Sequence, residues 1–171
     1  MLLAPESHER LETFLREHVG DPRLRLPRIR VYSGAFSRRL TGGLKVGAMT
    51  VGNRIFVAPR LVARDGEGRL TFPGWLLAHE ALHVVQYARE GYLRFLFKYL
   101  SDYFAALRAG GGWDAAARMA AYLAIGHERE AREAEHAYRG WTGPGLTVAK
   151  MEEQIAEGSP LEATPSRPSR S

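Results

Sequence analysis

Residues 76–86 read Leu-Leu-Ala-His-Glu-Ala-Leu-His-Val-Val-Gln, and this stretch decides the fold. Apolar residues surround its two histidines, which predicts a helix near the centre of the protein. His79 and His83 are four residues apart, so on a helix their side chains leave the same face about one turn from each other. Glu80 is rotated about 100 degrees from His79 and lies beside that face. The pattern therefore predicts two imidazoles that can reach one ion, with a carboxylate next to them.

The chemistry that this motif can support is limited by the rest of the composition. The chain contains no cysteine, so a metal has to be held by histidine, aspartate or glutamate. Zinc held in this way lowers the pKa of a bound water toward neutrality, and Glu80 stands where a general base could take its proton. The motif therefore predicts a catalytic zinc site. The alternative is a pair of core histidines that are satisfied by hydrogen bonds.

A third zinc ligand is needed, because a catalytic zinc has three protein ligands and one open position. The segment 127–136, His-Glu-Arg-Glu-Ala-Arg-Glu-Ala-Glu-His, is the predicted source. On a helix, Glu130 shares a face with the small residue Ala134, which favours close approach to the motif helix. Glu130 is therefore the preferred ligand. The alternatives that stay open are Glu133, His127 and His136. The remaining charged residues of this segment fit a solvated helix face.

Hydrophobic patterning predicts an α+β fold, in which a small three-stranded sheet packs on a helical bundle that carries the motif helix. Alternating residues in 28–32 predict a strand, and the runs 44–51 and 54–58, joined by Gly52-Asn53, predict a hairpin. The predicted helices are 5–19, 75–89 with Thr71 as its cap, 92–107, 114–123 with Asp114 as its cap, and 127–139. Helix 92–107 is apolar on nearly all sides, so we expect it to be covered on most of its surface by core packing. A dimer contact, a membrane-surface contact and a substrate pocket wall stay open as alternatives.

The same patterns divide the chain into three parts. Residues 1–27 form an N-terminal segment with a covering helix, and residues 28–140 form the domain that carries the motif. Residues 141–171 contain a short helix, at 146–156, and a tail rich in proline, serine and arginine that is predicted to be disordered.

Charge and hydropathy indicate which partners to expect. The net charge of +5 comes mostly from arginines that are scattered along the chain, so no nucleic acid is expected as a partner. No run of about 18 apolar residues could form a transmembrane segment, and the first residues do not resemble a signal peptide. We expect a cytoplasmic protein, with unconventional export left open.

Residues 76–86 resemble the active-site helix of gluzincin metallopeptidases, particularly small bacterial ones of the minigluzincin kind. The Glu-Arg-Glu-Ala stretch at 128–131 is similar to their second motif, in which a glutamate before an alanine supplies the third ligand. The resemblance implies a zincin-like domain over 28–140 that binds one zinc ion through His79, His83 and Glu130. It implies hydrolysis of peptide bonds in a peptide or protein substrate by metal-activated water, with Glu80 as general base. It also implies that strand 54–59 forms a sheet edge along which the substrate lies.

Two supporting roles are not fixed by this resemblance. In thermolysin-like relatives, an aspartate four residues after the ligand glutamate braces a histidine. With Glu130 as the ligand, the corresponding position in this chain is Ala134. Bracing is then expected from Glu133 or a backbone carbonyl. The candidates for stabilising the oxyanion are Tyr122, His127, His136 and Tyr138.

Two other interpretations compete with a peptidase. The first is a catalytically inactive zincin fold that serves as a binding or scaffold module, and the intact Glu80 argues against it. The second is a di-iron carboxylate bundle, prompted by the Glu-x-x-His spacing at Glu80–His83 and at Glu133–His136. Helix 92–107 contains no glutamate to complete such a site, so the bundle is disfavoured.

Overall fold

The computed structural model describes residues 1–44, 46–66, 68–141 and 146–147, and within them the fold is α+β. The helices are α1 (Pro5–Val19), α2 (Ala35–Leu44), α3 (Gly74–Glu90), α4 (Tyr92–Ala109), α5 (Ala115–Ala124) and α6 (Gly126–Gly140). The strands are β1 (Arg30–Tyr32), β2 (Ala48–Val51), β3 (Arg54–Val57), β4 (Ala63–Arg64), β5 (Leu70–Phe72) and β6 (Leu146–Thr147). The predicted fold class is confirmed.

The first sheet is mixed and has the strand order β1-β3-β2. β1 runs parallel to β3, with Val31 opposite Ile55, and β2 runs antiparallel to β3, with Thr50 opposite Ile55. The predicted hairpin is therefore present. β3 lies in the middle of the sheet, so the expectation that strand 54–59 forms a substrate-binding edge is wrong. The edge strand next to α3 is β2.

Gly52 is required at the turn between β2 and β3 for two reasons. Its φ of 61° lies in the left-handed region that favours glycine. A Cβ at this position would also lie 1.7 Å from the hydroxyl oxygen of Tyr92, at the start of α4. The hairpin turn and the beginning of α4 are thus packed directly against each other.

Helix α2 lies between the predicted strands 28–32 and 44–51, where no helix was predicted. Its fully buried side chains include Ser37 and Thr41, and the Thr41 hydroxyl donates a hydrogen bond to the Ser37 carbonyl at 2.7 Å. A helix whose buried side is polar has no apolar stripe at helical spacing, which is why hydrophobic periodicity did not reveal it.

A second small sheet, with the order β4-β5-β6, was not predicted. Thr71 belongs to β5 and pairs with Ala63, so it does not cap α3, whose N-cap is Pro73. Leu146, the first residue of the predicted helix 146–156, lies in β6 and pairs with Phe72. Residues 148–156 of that predicted helix, and the predicted tail, lie outside the described residues.

The core is built around α3, in which every residue from Leu76 to Gln86 is buried. Fully buried Ala131 and Ala134 of α6 let the two helices pack closely. α1 covers them as predicted, with Phe14 in edge contact with Tyr138 at 4.9 Å between ring centroids. At the other side, Asp114 caps α5 as predicted, because its side chain accepts a hydrogen bond from the Ala117 amide.

Helix α4 has far more exposed surface than predicted. Among its apolar residues Phe95 and Leu107 are buried, whereas Leu93 is 84% exposed and Phe97 is 76% exposed. The expectation that most of this helix is covered is wrong for the described part of the chain. Within the described residues, none of the helices has both the length and the apolar character needed to cross a membrane.

Candidate metal centre

The two motif histidines face one carboxylate. α3 places the rings of His79 and His83 with their centroids 5.1 Å apart, and α6 brings Glu128 against both. His79 Nε2 lies 3.5 Å from Glu128 Oε2, and His83 Nε2 lies 3.4 Å from Glu128 Oε1. The three residues are buried, and one donor atom from each lies within 4.8 Å of the others. The residues form a group that could hold a metal ion.

The donor set fits zinc in composition and in spacing. Two imidazole nitrogens and one glutamate oxygen are a ligand set of known catalytic zinc sites. Atoms bound to one tetrahedral zinc at about 2.0–2.1 Å lie roughly 3.3 Å from each other. The observed nitrogen–oxygen distances of 3.4 and 3.5 Å are close to that value. The residues present therefore fit the ion that the sequence motif implies.

The third member of the group is Glu128, and the expected ligand Glu130 is not part of it. Glu130 is exposed, and its Oε2 instead accepts a hydrogen bond from Gln86 Nε2 at 2.9 Å. The buried face of α6 consists of residues at helical spacing from Glu128, namely Ala131, Ala134 and Tyr138, together with His127. Glu130 lies two residues, or about 200 degrees, away from Glu128 on the helix.

The error came from the choice of helix face. Glu130 was preferred because it shares a face with Ala134 and Ala137, but Ala137 is exposed. The pair Ala131 and Ala134 marks the buried side, and Glu128 precedes Ala131 by three residues. That spacing was the signal in the sequence that could have identified Glu128.

The other residues considered as third ligand also lie elsewhere. Glu133 and His136 are exposed. His127 is buried, but its Nε2 lies 3.1 Å from Glu90 Oε1 on the side of α3 beyond the motif.

Gln86 fixes the orientation of His83. Its side-chain oxygen lies 2.8 Å from His83 Nδ1, while its amide nitrogen donates to Glu130 Oε2 and, at 3.3 Å, to the His127 carbonyl. Because the amide nitrogen faces two acceptors, the oxygen must accept from His83, which places the imidazole proton on Nδ1. With an ion bound, the Nε2 lone pair of His83 would be available to it.

His79 has a different neighbour on its outer side. Its buried Nδ1 lies 3.4 Å from Glu135 Oε2, without the alignment of a good hydrogen bond. Arg139 holds Glu135 in place through an ion pair of 2.7 Å. Gln86 therefore supports His83, whereas Glu135 lies near His79 without a hydrogen bond to it, and Glu133, which was expected to brace a histidine, does neither.

Glu128 receives hydrogen bonds from two tyrosines. The Tyr99 hydroxyl of α4 donates to Oε1 at 2.8 Å, and the Tyr122 hydroxyl of α5 donates to Oε2. Burial alone would raise the pKa of Glu128, but hydrogen bonds from His79 and His83, together with the charge of His83, outweigh it and hold the pKa well below its usual range. Glu128 is thus held as an anion, the form in which a carboxylate could bind a metal ion.

Glu80 lies beside the group and is held by the sheet. The Thr50 hydroxyl of edge strand β2 is 2.7 Å from Glu80 Oε2 and 3.2 Å from the Glu80 carbonyl oxygen. Burial raises the pKa of Glu80, and the nearby His83 and His79 offset this only in part. A buried carboxyl whose pKa is raised is suited to accept and return a proton.

Of the four candidates for oxyanion stabilisation, Tyr122 has its hydroxyl at the site, where it donates to Glu128. His127 faces Glu90, His136 is exposed, and Tyr138 packs between Phe14 and Gly74. Sequence reasoning missed Thr50 and Tyr99 because both reach the site from other elements, at positions that no local spacing marks.

The fold and the site define a class: an α+β protein with a buried His-Glu-x-x-His helix and a carboxylate from a later helix, which together could hold a metal ion. Residues 8–91 match the family model of the eCIS core domain, where eCIS denotes an extracellular contractile injection system. The match covers a little under half of the chain, from α1 to the end of α3. It includes His79, Glu80 and His83 and ends before Glu128. No curated protein and no solved structure matches the chain.

Proposed function

We propose that this chain is a zinc-dependent peptidase of the gluzincin type, in which His79, His83 and Glu128 hold the ion and Glu80 is the general base. The observation that carries the proposal is the convergence of both histidine Nε2 atoms on Glu128 beside the buried carboxyl of Glu80. A satisfied pair of core histidines would not require a second buried carboxyl next to them, because burying charge is costly.

Zinc bound at this site would lower the pKa of a bound water and polarise the carbonyl of a peptide bond. Glu80 accepts the proton of the attacking water and delivers it to the nitrogen of the leaving amine. Thr50 holds Oε2 of Glu80, so Oε1 is the oxygen assigned to carry the proton. Gln86 keeps the imidazole of His83 turned toward the ion.

Edge strand β2 is the surface along which we place the substrate. Thr50, which holds Glu80, belongs to this strand, and within the described residues β2 pairs on one side, with β3. An extended peptide could add to the other side through main-chain hydrogen bonds. This assigns to β2 the role that the resemblance had implied for the strand at 54–59.

The match to the eCIS core domain supports a second candidate. Its description names an injection system, and in such an assembly a zincin fold could act as a binding or scaffold module. The position of Glu80, oriented by Thr50 next to the metal group, supports the peptidase instead.

The two candidates are separated by assaying zinc-loaded wild type and Glu80→Gln on a library of quenched fluorescent peptides. We expect wild type to cleave some of the peptides. We expect Glu80→Gln to keep its zinc and to lose about 100-fold or more in rate, because it lacks the base. A zinc-loaded wild type that cleaves no peptide would support the binding module. Equal rates for both proteins would assign any activity to a contaminant.

A further inference from the structure

Two helices that the sequence motifs do not include both reach the candidate metal group. α4 supplies the Tyr99 hydroxyl to one oxygen of Glu128, and α5 supplies the Tyr122 hydroxyl to the other. Both phenol groups lie in the partly buried layer between these helices and α6. Each oxygen of Glu128 therefore has one tyrosine neighbour and one histidine neighbour.

This arrangement orients the carboxylate. A carboxylate oxygen has two lone-pair directions. Oε1 accepts a hydrogen bond from Tyr99 and lies 3.4 Å from His83 Nε2, while Oε2 accepts from Tyr122 and lies 3.5 Å from His79 Nε2. Because each hydroxyl holds one oxygen, the two tyrosines restrict rotation of the carboxylate while each oxygen stays beside a histidine.

The same contacts attach a loosely packed part of the fold. α4 buries Phe95 and Leu107, and α5 buries Ala121, while most other residues of these two helices are exposed. Phe95 packs against the rings of Tyr87 and His127. With so few buried side chains, the two hydroxyl contacts with Glu128 form a substantial share of what holds the α4–α5 pair on the core.

We propose that Tyr99 and Tyr122 are positioning residues that orient Glu128 for the metal ion and thereby link metal occupancy to the docking of α4 and α5. This inference rests on the proposed metal site. Linkage is reciprocal, so if the docked helices favour metal binding, bound metal must favour docking by the same factor.

The first test measures zinc affinity by competition with a chromophoric chelator for wild type, Tyr99→Phe, Tyr122→Phe and the double variant. Tyr103→Phe is the matched control, since Tyr103 lies on α4 and its hydroxyl has no hydrogen bond within the part of the chain that the structure describes. We expect each single variant to raise the Kd for zinc by about tenfold, as is typical for groups that hold a ligand in place. Tyr103→Phe should leave it unchanged.

Two further readouts exclude a merely structural effect. The Co²⁺-substituted Tyr99→Phe and Tyr122→Phe proteins should show shifted visible bands, because the orientation of a metal ligand has changed. Hydrogen exchange over 92–124, with residues 5–19 of α1 as the internal reference, should slow on adding zinc to wild type. In the double variant this slowing should be largely lost.

The possible outcomes distinguish a failure of this inference from a failure of the proposed metal site. Wild type that binds no zinc overturns the metal site and this inference with it. A second outcome is that wild type binds zinc and that the Kd values of Tyr99→Phe and Tyr122→Phe lie within about twofold of the wild-type Kd. This outcome would overturn the inference but not the metal site. If the variants do not fold, hydrogen exchange in wild type tests the inference. An absence of zinc-dependent protection over 92–124 would overturn the linkage between metal binding and helix docking.

Discussion

The site depends on which nitrogen of each imidazole faces Glu128. His83 is fixed by Gln86, three residues further along the same helix, and this partner could have been found from the spacing within 76–86. The proximity of the His79 and His83 rings was predicted from the same local geometry. Glu128 was missed because its direction depends on the rotational phase of α6, which starts after the extended residue Ile125. No pattern within α3 contains that information.

Replacing Gln86 by leucine should weaken zinc binding about tenfold or more, because His83 loses the acceptor that keeps its proton on Nδ1. The Kd for zinc from chelator competition measures this effect. Glu133→Gln, an exposed change on α6, is the control and should leave the Kd unchanged. Equal affinities for Gln86→Leu and wild type would contradict the tautomer assigned to His83.

At the level of the elements, the sequence predicts amphipathic segments well. It does not predict segments that are very short, or whose buried side is polar, or whose apolar side is exposed. α1 and α3 have apolar residues on the side that is buried, and their positions follow from periodicity. α2 buries serine and threonine, and β4 to β6 are two or three residues long, so neither gives a periodic signal. α4 shows the opposite case, since its apolar residues predicted burial and the fold leaves most of them in contact with solvent.

The uneven burial of α4 predicts a contrast between two phenylalanines. Phe95 is 4% exposed and packs on Tyr87 and His127, so Phe95→Ala should lower the free energy of unfolding by about 3 kcal/mol. Phe97→Ala, two residues away, should change it by no more than about 0.5 kcal/mol. Urea unfolding of the ion-free proteins measures both values. Comparable losses for the two variants would mean that the outer side of α4 is covered in solution.

At the scale of the whole molecule, several elements of the fold contact either Glu80 or the neighbouring candidate metal group His79, His83 and Glu128. α3 supplies two of its members, α6 supplies the third, β2 holds Glu80, and α4 and α5 hold Glu128. The α+β class and a small three-stranded sheet could be predicted from the sequence. The way these elements meet could not, because the contacts of Thr50, Tyr99 and Tyr122 span 30, 29 and 6 residues of sequence and follow from tertiary packing.

Because the donors belong to separate elements, zinc should stabilise the folded protein as a whole. Free zinc at 1,000 times its Kd should add about 4 kcal/mol to the free energy of unfolding, and a chelator should remove this gain. The gain should shrink as the pH falls, since protons compete with the ion for its ligand atoms. Thermal unfolding with zinc and with chelator at pH 7.5 and pH 5.5 measures it. A melting temperature that does not respond to zinc at pH 7.5 would contradict this expectation.

The most direct test of the account is the zinc content of three purified proteins: wild type, Glu128→Gln and Glu130→Gln. The geometry of α6 predicts about one zinc per chain in wild type and in Glu130→Gln, and little in Glu128→Gln, whose amide is a poor ligand. Circular dichroism would verify that all three are folded. Retention of zinc by Glu128→Gln together with its loss from Glu130→Gln would contradict the assignment of the metal group.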